Sequence, residues 1–258
     1  MIITIDIGNT NTGIAAGDGG KILKTDSVKT GFRGCYEKRL AKALRALLKD
    51  IGHTAQDTRE SMEILICSVV PKALPIAKRC AKKVFKVSAA VVGRDIVVPI
   101  KNRYGDPKQV GQDRLLCAFA AAELYGCPAV VVDLGTAITF DVVSSNREYL
   151  GGIIAPGIRL SAETLFQQTA LLPRVMIHKP KQLIGKSTEE SILSGMFYGY
   201  GEMIKGVVDL LVKQLKSKPV IVVTGGYSDL MEKYIPSYKC VVDKELIFKG
   251  MNLLIAHS

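Results

Sequence analysis

The chain begins MIITIDIGNTNTG, residues 1–13, and this stretch decides how the rest is read. An apolar, β-branched run ends in Asp6. Gly8 follows, then Asn9, Thr10, Asn11, Thr12 and Gly13. β-Branched residues favour a strand. Glycine lets a backbone turn sharply and lets a ligand come close. A short hairpin needs only two residues of turn type. This stretch has more glycine, amide and hydroxyl than a turn requires. It points to a ligand-holding loop; the plain alternative is a hairpin.

The pattern returns further on. PAVVVDLGTAITFDVV (128–143) reads as strand, turn, strand, with Asp133, Gly135 and Thr136 standing where Asp6, Gly8 and Asn9 stood. A third glycine turn, Thr224-Gly225-Gly226, ends an apolar run. Turn amides that point one way make a nest for phosphate oxygens. A strand-tip Asp suits a cation or its waters. Bare glycines leave room for a flat group such as adenosine. The repeated order predicts an α/β fold of two similar domains, 1–117 and 118–258, flanking a nucleotide cleft.

The remaining chain fills in that plan. Strands are predicted at 2–6, 12–17, 21–28 and 62–68, and a helix over 35–52 with Leu40, Ala43, Leu44, Leu47 and Leu48 on one face. VPKALPIAKRCAKKV (70–84) reads as a helix interrupted by prolines, and 111–126 as a strong helix. A strand is expected at 147–156, and helices at 157–170, 188–216 and 245–256. Gly195 and Gly199, four apart inside a helix, suggest close approach of a second helix or a ligand.

Composition sets the limits. The 258 residues are 48% hydrophobic and 23% charged, which suits an ordinary globular chain. No apolar run nears the ~20 residues of a membrane span, and no basic leader precedes one. Six dispersed cysteines without C-x-x-C spacing suggest a reducing cytoplasm. Neither they nor the histidines have metal-ligand spacing. The net charge of +11 would suit nucleic acid or an anionic ligand. The lysines read as spread through segments such as 78–86, 179–186 and 213–218, with no arginine-rich arm, so nucleic acid is not expected as a principal partner.

Seven stretches carry a narrower likeness: DIGNTNTG (6–13), CSVVP (67–71), YGDPKQVGQDR (104–114), VVDLGTAITFDVV (131–143), GGIIAPG (151–157), TEESILSGMFYGYG (188–201) and VTGG (223–226). Together they resemble type III pantothenate kinase, within the actin-like (ribonuclease H-like) ATPase and sugar kinase superfamily. The resemblance implies ATP-dependent phosphorylation of pantothenate, the first step towards coenzyme A, by a cytoplasmic homodimer. It implies a first phosphate loop of Asp6, Ile7, Gly8, Asn9, Thr10, Asn11, Thr12 and Gly13, with Asp6 near the Mg²⁺ of ATP. Thr136 would contact ATP phosphate, and Asp133 would bind a monovalent cation, K⁺ or NH₄⁺. Residue chemistry alone would let Asp133 hold Mg²⁺ equally well.

Gly111-Gln112-Asp113-Arg114 resembles the family's substrate loop, with Asp113 as catalytic base. Its place in the first helical turn and beside Arg114 favours the ionised form. The alternative is that Asp113 caps the helix and pairs with Arg114. Tyr104 and Thr188 match positions that contact pantothenate; otherwise Thr188 would be a helix N-cap. Asp106 and Gly13 depart from the family pattern. Two rivals stand beside this reading: a kinase for another small hydroxyl substrate, and an accessory protein acting on transcription.

Overall fold

The computed structural model describes residues 1–52, 62–234 and 239–256. His53 and His257 lie outside them. The chain forms two compact units. The first comprises 1–100, 106–120 and 245–258; the second comprises 101–105 and 121–244.

The first unit opens with β1 (Ile2–Ile7), β2 (Asn11–Asp18) and β3 (Lys21–Lys29), an antiparallel meander. Helix α1 (Gly34–Asp50) follows, then β4 (Glu63–Ser68), α2 (Leu74–Phe85) and the short β5 (Ala90–Val91). The sheet order is β3-β2-β1-β4-β5, with β4 parallel to β1. The five α1 residues expected on one face are all buried. They join Ile3, Ile5, Ile64 and Ile66 of the sheet and Cys80 and Val84 of α2 in one core. The prolines do not interrupt α2. Pro71 precedes it, and Pro75 stands in its first turn, where the missing N–H has no intrahelical partner to lose.

Helix α3 (Gln112–Tyr125) runs from the first unit into the second. There β6 (Lys101–Asn102), β7 (Ala129–Leu134), β8 (Ala137–Val143), β9 (Glu148–Pro156), β10 (Val220–Thr224) and β11 (Cys240–Val242) form one sheet. Its order is β11-β10-β7-β8-β9-β6. Setting β6 aside, β9-β8-β7-β10-β11 repeats the order of the first sheet strand for strand. That is the duplicated plan expected from the two D-x-G turns. Helices α4 (Ile158–Gln168), α5 (Thr188–Ser194) and α6 (Tyr200–Leu215) complete this unit with the short α7 (Ser228–Met231). Val130, Val132, Phe140, Phe197, Ile204 and Val223 lie in its core.

The helix predicted over 188–216 is continuous, with one π-helical turn at Gly195–Gly199. Three other expectations are corrected. A Cβ on Gly195 or Gly199 would meet nothing within 4 Å, so neither marks a close approach within the described chain; Gly201 does, against the Tyr234 ring. The N-cap of α5 is Ser187, whose Oγ accepts from the Glu190 N–H at 3.2 Å, and Thr188 is already helical. Helix α8 (Leu246–Ala256), expected in the C-terminal half, lies in the first unit. There a Cβ on Gly250 would meet Leu116 and Ala120 of α3 at 3.0–3.1 Å, so glycine lets the two helices approach.

Candidate active site

In the first unit, three segments meet at the end of the sheet. β1 and β4 pair in register, so Asp6 lies beside Cys67. The α3 start approaches the same place, since a Cβ on Gly111 would come within 3.8 Å of Val69. Cys67 is fully buried. Burial pushes its thiol well above the ordinary value, and the carboxylates of Asp6 and then Asp113 push it further. The thiol therefore stays neutral, within electrostatic reach of both acids. Sequence reasoning quoted Cys67 without giving it a role; its place at the end of an apolar run, like that of Asp6, was the available signal.

Asp113 sits in the first turn of α3, and its Oδ1 accepts the Arg114 N–H at 2.8 Å. The same oxygen would lie 2.4 Å from a Cβ on Gly111, which explains a glycine there. Gln112 packs its side chain on Gly93, a residue with φ +80°. Gly111 to Arg114 are all half-buried, reachable yet fixed.

The loop after β1 is shorter than expected. Gly8, Asn9 and Thr10 form the turn, closed by the Gly8 N–H on the Asn11 carbonyl at 3.0 Å. Asn9 and Asn11 are exposed, and Asp6, Gly8, Thr10 and Gly13 are half-buried. Ile7 is buried and belongs to the core. Thr12 differs from its expected role. It is fully buried, and its hydroxyl bonds Tyr36 Oη at 2.8 Å and Thr30 Oγ1 at 3.0 Å. Thr30 in turn donates to the Gly8 carbonyl at 2.7 Å. Thr12 thus braces the loop from beneath and contributes no donor at its surface. Gly13 has a physical reason as well: a Cβ there would meet the Phe248 ring of α8 at 2.8 Å.

In the second unit, the matching turn holds Asp133 at the tip of β7. Its Oδ1 would lie 2.4 Å from a Cβ on Gly225 and 3.3 Å from one on Gly135. The Thr224-Gly225-Gly226 turn is therefore packed on the Asp133-Leu134-Gly135-Thr136 turn, and the Tyr227 N–H donates to the Leu134 carbonyl at 3.2 Å. Thr136 is half-buried, and its carbonyl accepts the Gly157 N–H at 3.0 Å. The final Asp of the D-L-G-T-A-x-T-x-D run, Asp141, is buried. It accepts from Tyr149 Oη at 2.7 Å and Thr139 Oγ1 at 2.8 Å, which ties β8 to β9. Sequence reasoning quoted it as part of a motif and missed this bracing.

Tyr104 also belongs to the second unit. Its ring lies against Gly151, and its N–H donates to Asn102 Oδ1 at 2.9 Å. Thr188 is exposed on the first turn of α5.

Comparison with known proteins identifies the family. The profile of the family described as type III pantothenate kinase matches residues 2–210. The chain is 38% identical over 254 residues to the type III pantothenate kinase of Halalkalibacterium halodurans, covering 98% of each. It is 34% identical over 259 residues to that of Bacillus cytotoxicus, covering 98% of this chain and 95% of the relative. Among solved structures, a Campylobacter jejuni protein provisionally described as a Baf family transcriptional activator matches with a TM-score of 0.59 at 21% identity, over 99% of this chain and 98% of the other. That identity speaks to fold alone. The family match spans most of the chain, and the chain belongs to the type III pantothenate kinase family.

Proposed function

We propose that the protein transfers the γ-phosphoryl group of ATP to the primary hydroxyl of pantothenate, the first step towards coenzyme A. The observation that carries this is the meeting of Asp6 and Asp113 at Cys67, in a chain of this family. Phosphoryl transfer has a loose transition state and asks for positioning and charge neutralisation more than for a strong base. Asp113 orients the pantothenate hydroxyl and accepts its proton late. Its Oδ1 is held by the Arg114 amide, which fixes the carboxylate. Arg114 offers a guanidinium for the pantothenate carboxylate. Tyr104 and Thr188 add hydrogen bonds to the substrate.

The turn amides and side chains of Gly8, Asn9, Thr10 and Asn11 hold ATP phosphate oxygens, and Thr136 contacts phosphate from its own loop. Asp6 holds Mg²⁺ or its waters; the metal neutralises phosphate charge when bound with the nucleotide. Asp133, boxed by Gly135 and Gly225, holds the monovalent cation. Among the described residues no helix is long and apolar enough to cross a membrane. The second unit exposes Ile154, Leu171, Met176 and Ile184, each at least 62% accessible. A second copy of the chain covers this apolar surface in the proposed homodimer, and light scattering on the purified protein should give twice the chain mass.

The test is ADP release with ATP, Mg²⁺ and pantothenate, in K⁺ and in Na⁺. Wild type should show pantothenate-dependent turnover that is higher in K⁺. Asp113→Asn should lose at least ~10²-fold in kcat with its fold intact. Wild type that releases no ADP on adding pantothenate in either salt would sink the assignment.

A further inference from the structure

The net charge is not spread over the molecule. Residues 33–50 and 71–86 hold twelve Lys and Arg against two acids, a net +10 in a chain of +11. In sequence these are two separate segments. In the fold they are α1 and α2 with their flanks, packed side by side on one sheet of the first unit. Along α1, Lys38, Lys42, Arg45 and Lys49 recur at intervals of three and four residues and all are exposed. At 1.5 Å per residue that row is about 16 Å long. Along α2, Arg79, Lys82, Lys83 and Lys86 are exposed as a second row. Between the rows, Cys80 Sγ donates to the Glu37 carbonyl at 3.7 Å, and its thiol senses Arg45 from one helix and Lys83 from the other. The two acids are each matched, Glu37 by Arg79 at 3.8 Å and Asp50 by Lys24 at 3.4 Å.

So much like charge in one place weakens a fold by self-repulsion, and solvation alone does not need it. We propose that the α1–α2 face binds the phosphate backbone of double-stranded nucleic acid without reading its sequence. A duplex presents about one negative charge per 1.7 Å of axis, so a 16 Å row meets a dense line of phosphates. Phosphate contacts from such cations fix position on a duplex and carry no sequence information. The apolar stripes of both helices are buried in the core, which leaves no anchor for a lipid surface. This binding is separate from the kinase reading, since none of these residues belongs to the candidate active site.

The experiment is fluorescence anisotropy of the full chain with labelled 20-base-pair DNA duplexes of two unrelated sequences, at 50 and 200 mM KCl. Equal binding of both is expected at 50 mM, falling about 10³-fold at 200 mM for some six phosphate contacts. The variant Lys38→Glu/Lys42→Glu/Lys82→Glu/Lys83→Glu should lose binding and keep its circular dichroism and kinase turnover. Arginine at the same four positions should keep binding. Reversal of Lys213, Lys216 and Lys218 on the second unit should leave it unchanged. Absence of binding at 50 mM, loss only in the second-unit variant, or capture by phosphatidylserine vesicles in place of the duplex would each overturn the proposal.

Discussion

The two strand–turn–strand loops begin alike and are held differently. In each, the turn glycine donates its amide back into the hairpin: Gly8 to Asn11 at 3.0 Å, Gly135 to Ala137 at 3.1 Å. The first turn is one residue longer, since Asp6 pairs with Gly13 while Asp133 pairs with Thr139. The first loop is braced by side chains, through the buried hydroxyls of Thr12, Tyr36 and Thr30. The second is braced by backbone against backbone. A Cβ on Gly157 would lie 2.2 Å from the Thr136 carbonyl oxygen and 2.5 Å from that of Gly135. A loop held by hydroxyls can be loosened one bond at a time. A loop held by bare backbone accepts no extra atom.

The sharpest way to break this contrast is Gly157→Ala. Both atoms it strikes are main-chain, so nothing nearby can swing away. A loss of about 3 kcal/mol or more is expected, read from the urea midpoint, with turnover abolished. Gly225→Ala should follow at about 2–3 kcal/mol. It adds a left-handed backbone, φ +91°, to its clash with Asp133. If both variants stayed within about 1 kcal/mol of wild type, the second loop would be as yielding as the first.

Thr12→Val tests the other brace. It leaves the buried Tyr36 hydroxyl without this partner and should cost about 1–2 kcal/mol. Turnover should survive with a raised KM for ATP. Combined with Tyr36→Phe the cost should be less than the sum, because the two changes remove one shared hydrogen bond. Additive costs would show that the hydroxyls act separately.

The smallest effect concerns charge at the end of β9 far from the second loop. Glu148 on β9 meets Arg103 at 2.8 Å and Lys101 at 3.0 Å, and these hold its carboxyl down at about 2 against an ordinary 4.5. A depressed acid stabilises the fold above its unfolded pKa and loses that contribution as pH falls towards the folded one. Wild type should therefore be slightly more stable than Glu148→Gln above pH 4.5, with the gap closing between 4.5 and about 2. Thermal midpoints across that range measure it. Both cationic partners are half or more exposed, so the gap should be small.

Sequence made the hairpins and the duplicated order legible, because apolar runs ending in D-x-G appear twice. The α1 stripe was legible for the same kind of reason, a periodicity carried by the chain itself. What was hidden depends on who lies opposite. Thr12 looks like any loop threonine until Tyr36, 24 residues on, closes over it. Ser187 is a better cap than Thr188 because Glu190 stands three residues later and also accepts the Lys186 N–H at 2.9 Å. That spacing was readable in S-T-E-E and was overlooked. The lysines of 78–86 read as one segment of a spread charge because chain order separates α2 from α1, which packs beside it.

The closing helix has a consequence for synthesis. The sheet of the first unit is complete by residue 91, yet α8 at 246–256 supplies Phe248 over Gly13 and Gly250 against α3. A chain made from its N-terminus folds early domains first. Here the first-made unit waits for its last-made piece. A nascent chain arrested before residue 245 should show a protease-sensitive first unit, and one released after 256 a resistant one.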